Sequence, residues 1–230
     1  LFAVDVNGAP VTHTVTSSAS EADGRRMWAQ FETLYPAGAS TVISVSYVLS
    51  PTGYYPTASY SYIFATGAGW DGPIGSAELL VRLPYPVSSA NIYPEQATHL
   101  RWGRPQYRGN EARWLRRRFE PTQADNFRVN VISPDRWLTL TAARRATTAR
   151  NASAESWRML GRAYEGVIES KYIIATHSLR FVQLMLDAYR QAVKRDPGSV
   201  PARLDTAEAL MFCCATMFIS KVTDDEIAAA

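Results

Sequence analysis

A chain of 230 residues with 47% apolar and 20% charged side chains has the composition of one large or two small globular domains and lies far from the disordered class. Its formal net charge of +3 is too small to demand a nucleic-acid or membrane partner. No run reaches the ~18 apolar residues of a membrane span, and no signal-peptide pattern opens the sequence as it stands. The first residues, Leu1-Phe2, read as if inside a strand. This is expected of a piece of a longer protein whose signal or anchor lies upstream.

Strand signals dominate up to about residue 140. Phe2-Ala-Val4-Asp-Val6 alternates and stops at Asn7-Gly8, a strong hairpin signal, and Val11-Thr-His13-Thr-Val15 alternates again. Thr41 to Leu49 predicts a strand whose inward set is Ile43, Val45 and Tyr47, or the opposite register. Tyr60 to Phe64 predicts an aromatic strand, Thr66 to Gly75 a glycine-rich turn, and Ala77 to Leu83 a strand closed by Pro84 and Pro86. Ala112 to Phe119 and Phe127 to Ile132 predict two more, separated by the polar turn from Glu120 to Asn126. Short strands with frequent turn signals predict an antiparallel β-sandwich over residues 1–140.

Beyond about residue 141 the period changes. Thr, Ala and Arg up to Arg150 read as a linker or the start of a helix, and Ser153-Ala-Glu-Ser156 as a helix cap. Trp157, Leu160, Tyr164, Val167 and Ile168 recur at helical spacing, as do Leu179, Val182, Leu186, Tyr189 and Val193. Asp196-Pro-Gly-Ser-Val-Pro201 separates two helices, and the last one is given an apolar face of Ala207, Leu210, Met211 and Cys214. The fold class expected is α+β, a sandwich over 1–140 followed by an α-helical segment over 150–229.

Two resemblances sharpen this. Trp157-x2-Leu160-Gly161-x2-Tyr164 and Tyr189-x2-Ala192-x4-Pro197 resemble the opening and close of a tetratricopeptide repeat. The halves stand about a dozen residues further apart than in the 34-residue unit. The resemblance implies one elongated helix pair plus the first helix of a next unit. In such a pair, small Gly and Ala positions admit close approach and aromatic rings fill the gap. One repeat cannot bury its own face, so the helices pack on each other, on the sandwich or on a partner. The β part carries Tyr60-x-Tyr62-x-Phe64-x-Thr66-Gly67-x-x-Trp70-x-Gly72-Pro73-Ile74-Gly75. It also carries Trp114-x4-Phe119-Glu120-Pro121-Thr122 with Asp125-Asn126. These resemble an uncharacterised group of bacterial proteins, many of them extracytoplasmic. The resemblance implies an architecture and an extracytoplasmic compartment, but no activity.

No catalytic constellation stands out. The glycine-rich turn lacks the Gly-Lys-Ser/Thr ending of a phosphate loop, so Trp70 is read first as a plug for the sandwich end. The arginines at 101, 104, 108, 113, 116, 117 and 118 are interleaved with aromatics, a pattern that can bind polyanions. Strand alternation places Arg116 and Arg118 with Trp114, and Arg117 with Leu115 and Phe119, a two-sided mix that reads as solvated or ion-paired arginines. His13, His99 and His177 lie apart with no metal-ligand spacing, and no cofactor motif occurs. Cys213 and Cys214 are read as small buried apolar side chains rather than a vicinal metal or redox site. A hydrolytic carboxylate pair would have to come from Asp71, Glu78, Glu95, Glu111, Glu120 and Asp125.

The expected function is therefore a non-catalytic protein- or peptide-binding module of the bacterial cell envelope. Its docking groove is lined by Tyr164, Ile168, Phe181 and Tyr189. The competing reading is carbohydrate binding or carbohydrate chemistry at the sandwich loops. The aromatic candidates there include Tyr85 and Tyr93, and Tyr54, Tyr55, Trp70, Trp102 and Arg104 are the ligand-binding set. Nucleic-acid binding through the arginines is the least favoured.

Overall fold

The computed structural model of the protein describes residues 2–20, 24–168 and 176–228, and within them the side chains other than those of 17–28, 96–97, 176–179 and 215–228. The expected helical residue Leu179 and the histidine His177 have side chains outside this description. The chain forms two compact units, Leu1–Ser50 and Pro51–Ala230. The division into these units falls after Ser50.

In the first unit, β1 (Phe2–Val6) pairs antiparallel with β2 (Ala9–Pro10) and with β5 (Ile43–Tyr47). β3 (Thr14–Ser20) and β4 (Gly24–Gln30) form a hairpin. Asn7 and Gly8 both take positive φ, 53° and 83°, as a two-residue primed turn requires. Asn7 is also tied to Val42, donating its N–H to the Val42 carbonyl (2.8 Å) and accepting the Val42 N–H on its side-chain oxygen (2.8 Å). β5 does not have the inward face expected of it: Val45 and Tyr47 are exposed, Ile43 is half-buried, and Ser44 and Ser46 on the other face are exposed too. Among the described residues neither face of this strand is fully buried, so the alternation marks the strand without marking a core.

The second unit contains two three-stranded antiparallel sheets. One has the order β7 (Ile74–Arg82), β10 (Glu111–Phe119), β9 (Gln106–Arg108), and the other β6 (Thr57–Tyr62), β11 (Phe127–Ile132), β8 (Ile92–Pro94). α1 (Gln96–Trp102) lies between β8 and β9 in the chain. Alternation buries Phe127, Val129 and Val131 of β11, and Ala112 and Trp114 of β10; Trp114 meets Phe127 edge-on at 5.0 Å. The alternation fails at Arg118, whose φ of 48° is left-handed. That rotation turns Phe119 onto the buried face and leaves Arg118 exposed, correcting the expected grouping of Phe119 with Arg117. On the outer face, Arg82 pairs with Glu111 (2.6 Å) and Arg113 with Glu78 (2.6 Å), cross-strand ion pairs of a solvated sheet surface.

Four helices follow: α2 (Pro134–Ala146), α3 (Ala154–Glu165), α4 (Thr176–Arg195) and α5 (Val200–Ala228). α2 occupies much of the stretch expected to be a linker or the start of a helix, and it begins earlier, at Pro134. Its start signals are Pro134 at the first turn and Asp135 beside it, and Arg144 and Arg145 close it. Ser153 caps α3 by accepting the Ser156 N–H (3.1 Å), as its sequence pattern predicts. Trp137 and Leu140 of α2 are buried in the same core as Tyr85, Ile132, Leu160, Tyr164 and Phe181, so the sheets and helices share one interior.

α3 and α4 approach closely because Gly161 lies under the Tyr189 ring. A Cβ at position 161 would sit 2.3 Å from the nearest ring carbon. Gly161→Ala is therefore expected to cost about 1–3 kcal/mol through overpacking. Urea unfolding measures this, and pairing it with Tyr189→Leu should recover most of the loss. Full stability in the single variant would contradict the packing described.

Candidate functional site

The two sequence motifs of the β part turn out to be halves of one clasp. Ala65–Gly69 forms a 3-10 turn whose first N–H, that of Ala65, donates to the Asn126 side-chain oxygen (3.0 Å). Gly67 lies against Pro121, where a Cβ would come within 3.1 Å of the proline ring. Asn126 follows a second 3-10 turn, Gln123–Asp125. Asp125 is buried, and its carboxylate accepts from Arg116 and from the Thr122 N–H and hydroxyl (both 2.7 Å). The Asp125 carbonyl accepts the Trp102 indole N–H (2.9 Å), and the Arg116 guanidinium lies 4.2 Å from the Phe119 ring centre. Burial pushes the Asp125 carboxyl upward, but the hydrogen bonds from Arg116 and Thr122 and the Arg116 charge outweigh it and hold it below the usual carboxylate range.

The five residues expected to bind a ligand at the loops do not gather. Trp102 is only 5% exposed and belongs to the clasp, because its indole N–H has a backbone partner inside. Tyr55 is engaged: its hydroxyl donates to Asp135 and its ring lies 4.9 Å from the Arg136 guanidinium. That bond from Tyr55 is also the main reason the Asp135 carboxyl lies below its ordinary value. Tyr54 is exposed, and Arg104 is exposed with no ion pair among the described residues. Trp70 is 65% exposed, so it does not plug the sheets. It borders an open cleft of about 260 Å³ with Tyr62, Phe64 and Thr66, and none of the other four lines that cleft.

Among the described residues the four expected to line a helical groove do not face one. Tyr164, Ile168, Phe181 and Tyr189 are all buried, because they fill the space between the helices instead of facing a partner. Beside them lies a cavity of about 90 Å³ between α3, α4 and α5. Ile168, Met185, Ala209 and Phe212 form its apolar part, and Glu165, Tyr189, Asp205 and Glu208 its polar part. The Tyr189 hydroxyl donates to Glu165 (3.4 Å). Burial, then the charges of Glu165 and Asp205, push the Tyr189 phenol well above its ordinary value. Asp205 accepts from Arg158 (2.7 Å) and lies 3.5 Å from Arg162. Glu208 is exposed and makes no ion pair among the described residues.

α5 turns a second feature outward. Val200, Leu204 and Met211 are 71%, 58% and 67% exposed, with exposed Ala207 and Cys214 completing a 4-3-4-3 stripe. The apolar face expected to pack, Ala207, Leu210, Met211 and Cys214, is thus mostly exposed, and Ala202 and Ala209 are the residues buried instead. Cys213 is half-buried, its thiol raised first by burial and then by Cys214, while Cys214 is exposed, against the expectation for both. The stripe's spacing was present in the sequence, but spacing alone does not say which face of a helix has a neighbour.

Four of the six candidate carboxylates are engaged separately, Glu78 by Arg113, Glu111 by Arg82, Glu95 by Arg128 (3.3 Å) and Asp125 by Arg116. Among the described residues no group of His, Cys, Asp or Glu is arranged to hold a metal ion, and no helix is long and apolar enough to cross a membrane. No family model matches the chain, and no curated protein or solved structure matches it.

Asp125→Asn is expected to destabilise the second unit by about 3 kcal/mol, the lower end for breaking a buried pair because Arg116 keeps a fifth of its side chain in solvent. With its carboxyl depressed in the fold, Asp125 contributes stability in full above the unfolded carboxylate pKa of about 4, and this is lost as pH falls through the folded value. Urea midpoints followed from pH 7 downward should show a shallower acid loss in the variant. Parallel pH curves would refute the assignment.

Proposed function

We propose that this protein is a non-catalytic binding module of the bacterial cell envelope that docks a protein or peptide on its helical part. In this reading the two sheets of the second unit are the layers of a β-sandwich serving as a platform. α3 and α4 are a tetratricopeptide-like pair, and α5 is the first helix of a following unit. The observation that carries the reading is the outward stripe of Val200, Leu204 and Met211. Large apolar side chains in a heptad seam are the form a helix takes where another helix or peptide covers it. The burial of Tyr164, Ile168, Phe181 and Tyr189 counts against docking at those four residues, so the reading rests on the α5 stripe alone.

A photo-crosslinking residue placed at Leu204 or Met211 should give a discrete adduct in a bacterial envelope extract, and one at Arg104 should not. Adducts equal at all three positions, or none at the stripe, would sink the reading.

Carbohydrate binding is the second reading, favoured by the exposed Trp70 beside its cleft. An indole face can stack on a sugar ring while Thr66 and Tyr62 supply hydroxyls. On a glycan panel, any saturable quenching of tryptophan fluorescence should vanish in Trp70→Ala. Quenching that survives in Trp70→Ala, or none with any glycan, would remove it.

A further inference from the structure

The charges that flank the outward stripe of α5 complement themselves. We infer that the stripe pairs with the same stripe of a second copy of this chain, the two α5 helices running parallel about a two-fold axis; this rests on the reading that the stripe is a docking surface. The 4-3-4-3 spacing fixes the register. Leu204 and Met211 stand at the a positions of a heptad seam, and Val200, Ala207 and Cys214 at the d positions. All five side chains are exposed, whereas Ala202 and Ala209, on the opposite side of the helix, are buried. The helix is therefore already held from behind, and pairing orders no new backbone. The small side chains of Ala207 and Cys214 let two helices approach, while Leu204 and Met211 fill the layers between.

Charge decides the occupant and its direction. In a parallel pair, a g residue of one helix faces the e residue five positions further along the other. Arg203 stands at g and Glu208 at e, in that spacing, and both are exposed. Neither has an opposite charge three or four positions away on its own helix. Two-fold symmetry then makes the contact twice, Arg203 of each copy with Glu208 of the other. An antiparallel pair would set g beside g and e beside e. Arg203 and Leu210 would share one flank, Pro201 and Glu208 the other, and no opposite charges would meet. The seam by itself accepts any apolar helix, but its flanks are already matched by this sequence. Because each copy offers only the five seam residues, against roughly 20–30 a side in a standard interface, the dimer forms on the order of 10–100 μM.

Sedimentation of the purified whole chain across the micromolar range reads this. The mass should rise from one chain to two, and Leu204→Glu should weaken association at least about tenfold. Arg203→Glu alone and Glu208→Arg alone each bring like charges together and should weaken the dimer about five- to tenfold. An equimolar mixture of these two variants restores both opposite-charge contacts and should return to the parent affinity. All three positions are exposed, so the melting temperatures of the dilute variants should match the parent's. A chain monomeric throughout, a dimer that Leu204→Glu leaves intact, or a mixture that associates no better than its components would each overturn the inference. The docking reading fails separately. If Leu204 and Met211 crosslink to another protein of the extract while the pure chain stays monomeric, self-pairing falls and docking on the stripe stands. If neither position gives an adduct, in the extract or in the concentrated pure chain, docking on the stripe falls and self-pairing with it.

Discussion

The Arg144 guanidinium lies between two aromatic rings, 5.3 Å from the centre of Trp137 and 5.2 Å from that of Tyr164, and its Nε donates to the Tyr164 hydroxyl (3.2 Å). This stack fastens α2 to α3. On its other side, Trp137 meets Tyr85 at 6.0 Å, and the Tyr85 hydroxyl donates to the carbonyl of Ile132, the last residue of β11. A buried tryptophan contributes about 2–3 kcal/mol through removed apolar surface, and a partly desolvated cation on a ring about 1–2 kcal/mol more. α2 is therefore the piece through which the helices are held to the sheets. Position and orientation of α3, α4 and α5, and with them the cavity and the outward stripe, follow from it.

A second constraint works at the other end of the β part. Asp125 is a charge with almost no solvent, and it is tolerable there because Arg116, the Thr122 N–H and the Thr122 hydroxyl all point at it, with the Arg101 guanidinium 3.7 Å away. Arg116 in turn lies over Phe119. Asn126 carries the constraint onward to the glycine-rich turn. The residues that stand out in the sequence here, from Gly67 to Asn126, thus hold loops in place. The exposed Trp70 is what the clasp presents outward.

Much of this architecture was legible. Asn7-Gly8 marked its hairpin, period-two patterns marked β6, β7, β10 and β11, and Ser153 marked the start of α3. Small Gly and Ala positions were expected to admit close helix approach with aromatic rings filling the gap, and Gly161 under the Tyr189 ring is one such contact. The errors have physical causes. Pro134 sits where a strand ends and a helix begins, so the composition shift near residue 141 came a full two turns late. A left-handed residue at Arg118 reverses the faces of its strand, and alternation cannot foresee that from an arginine. The candidate site was the least legible part. Periodicity identified Tyr164, Ile168 and Tyr189 as apolar-face residues but could not tell an inner face from an outer one. Glu208, which lines the cavity from α5 beside Asp205, gave no sequence signal, because much of the lining arrives from α3 and α4.

The account depends most on the claim that α2 makes the sheets and the helices of residues 51–230 one cooperative body. Native-state hydrogen exchange across increasing urea tests it directly, by comparing the amides of β10 and β11 with those of α3 and α4. With α2 as the joint, the slowest amides of both groups converge on one opening free energy with one urea dependence. If the helices open at a distinctly lower free energy while β10 and β11 stay protected, the helical part is an independent body and the joint at Trp137 does not hold it.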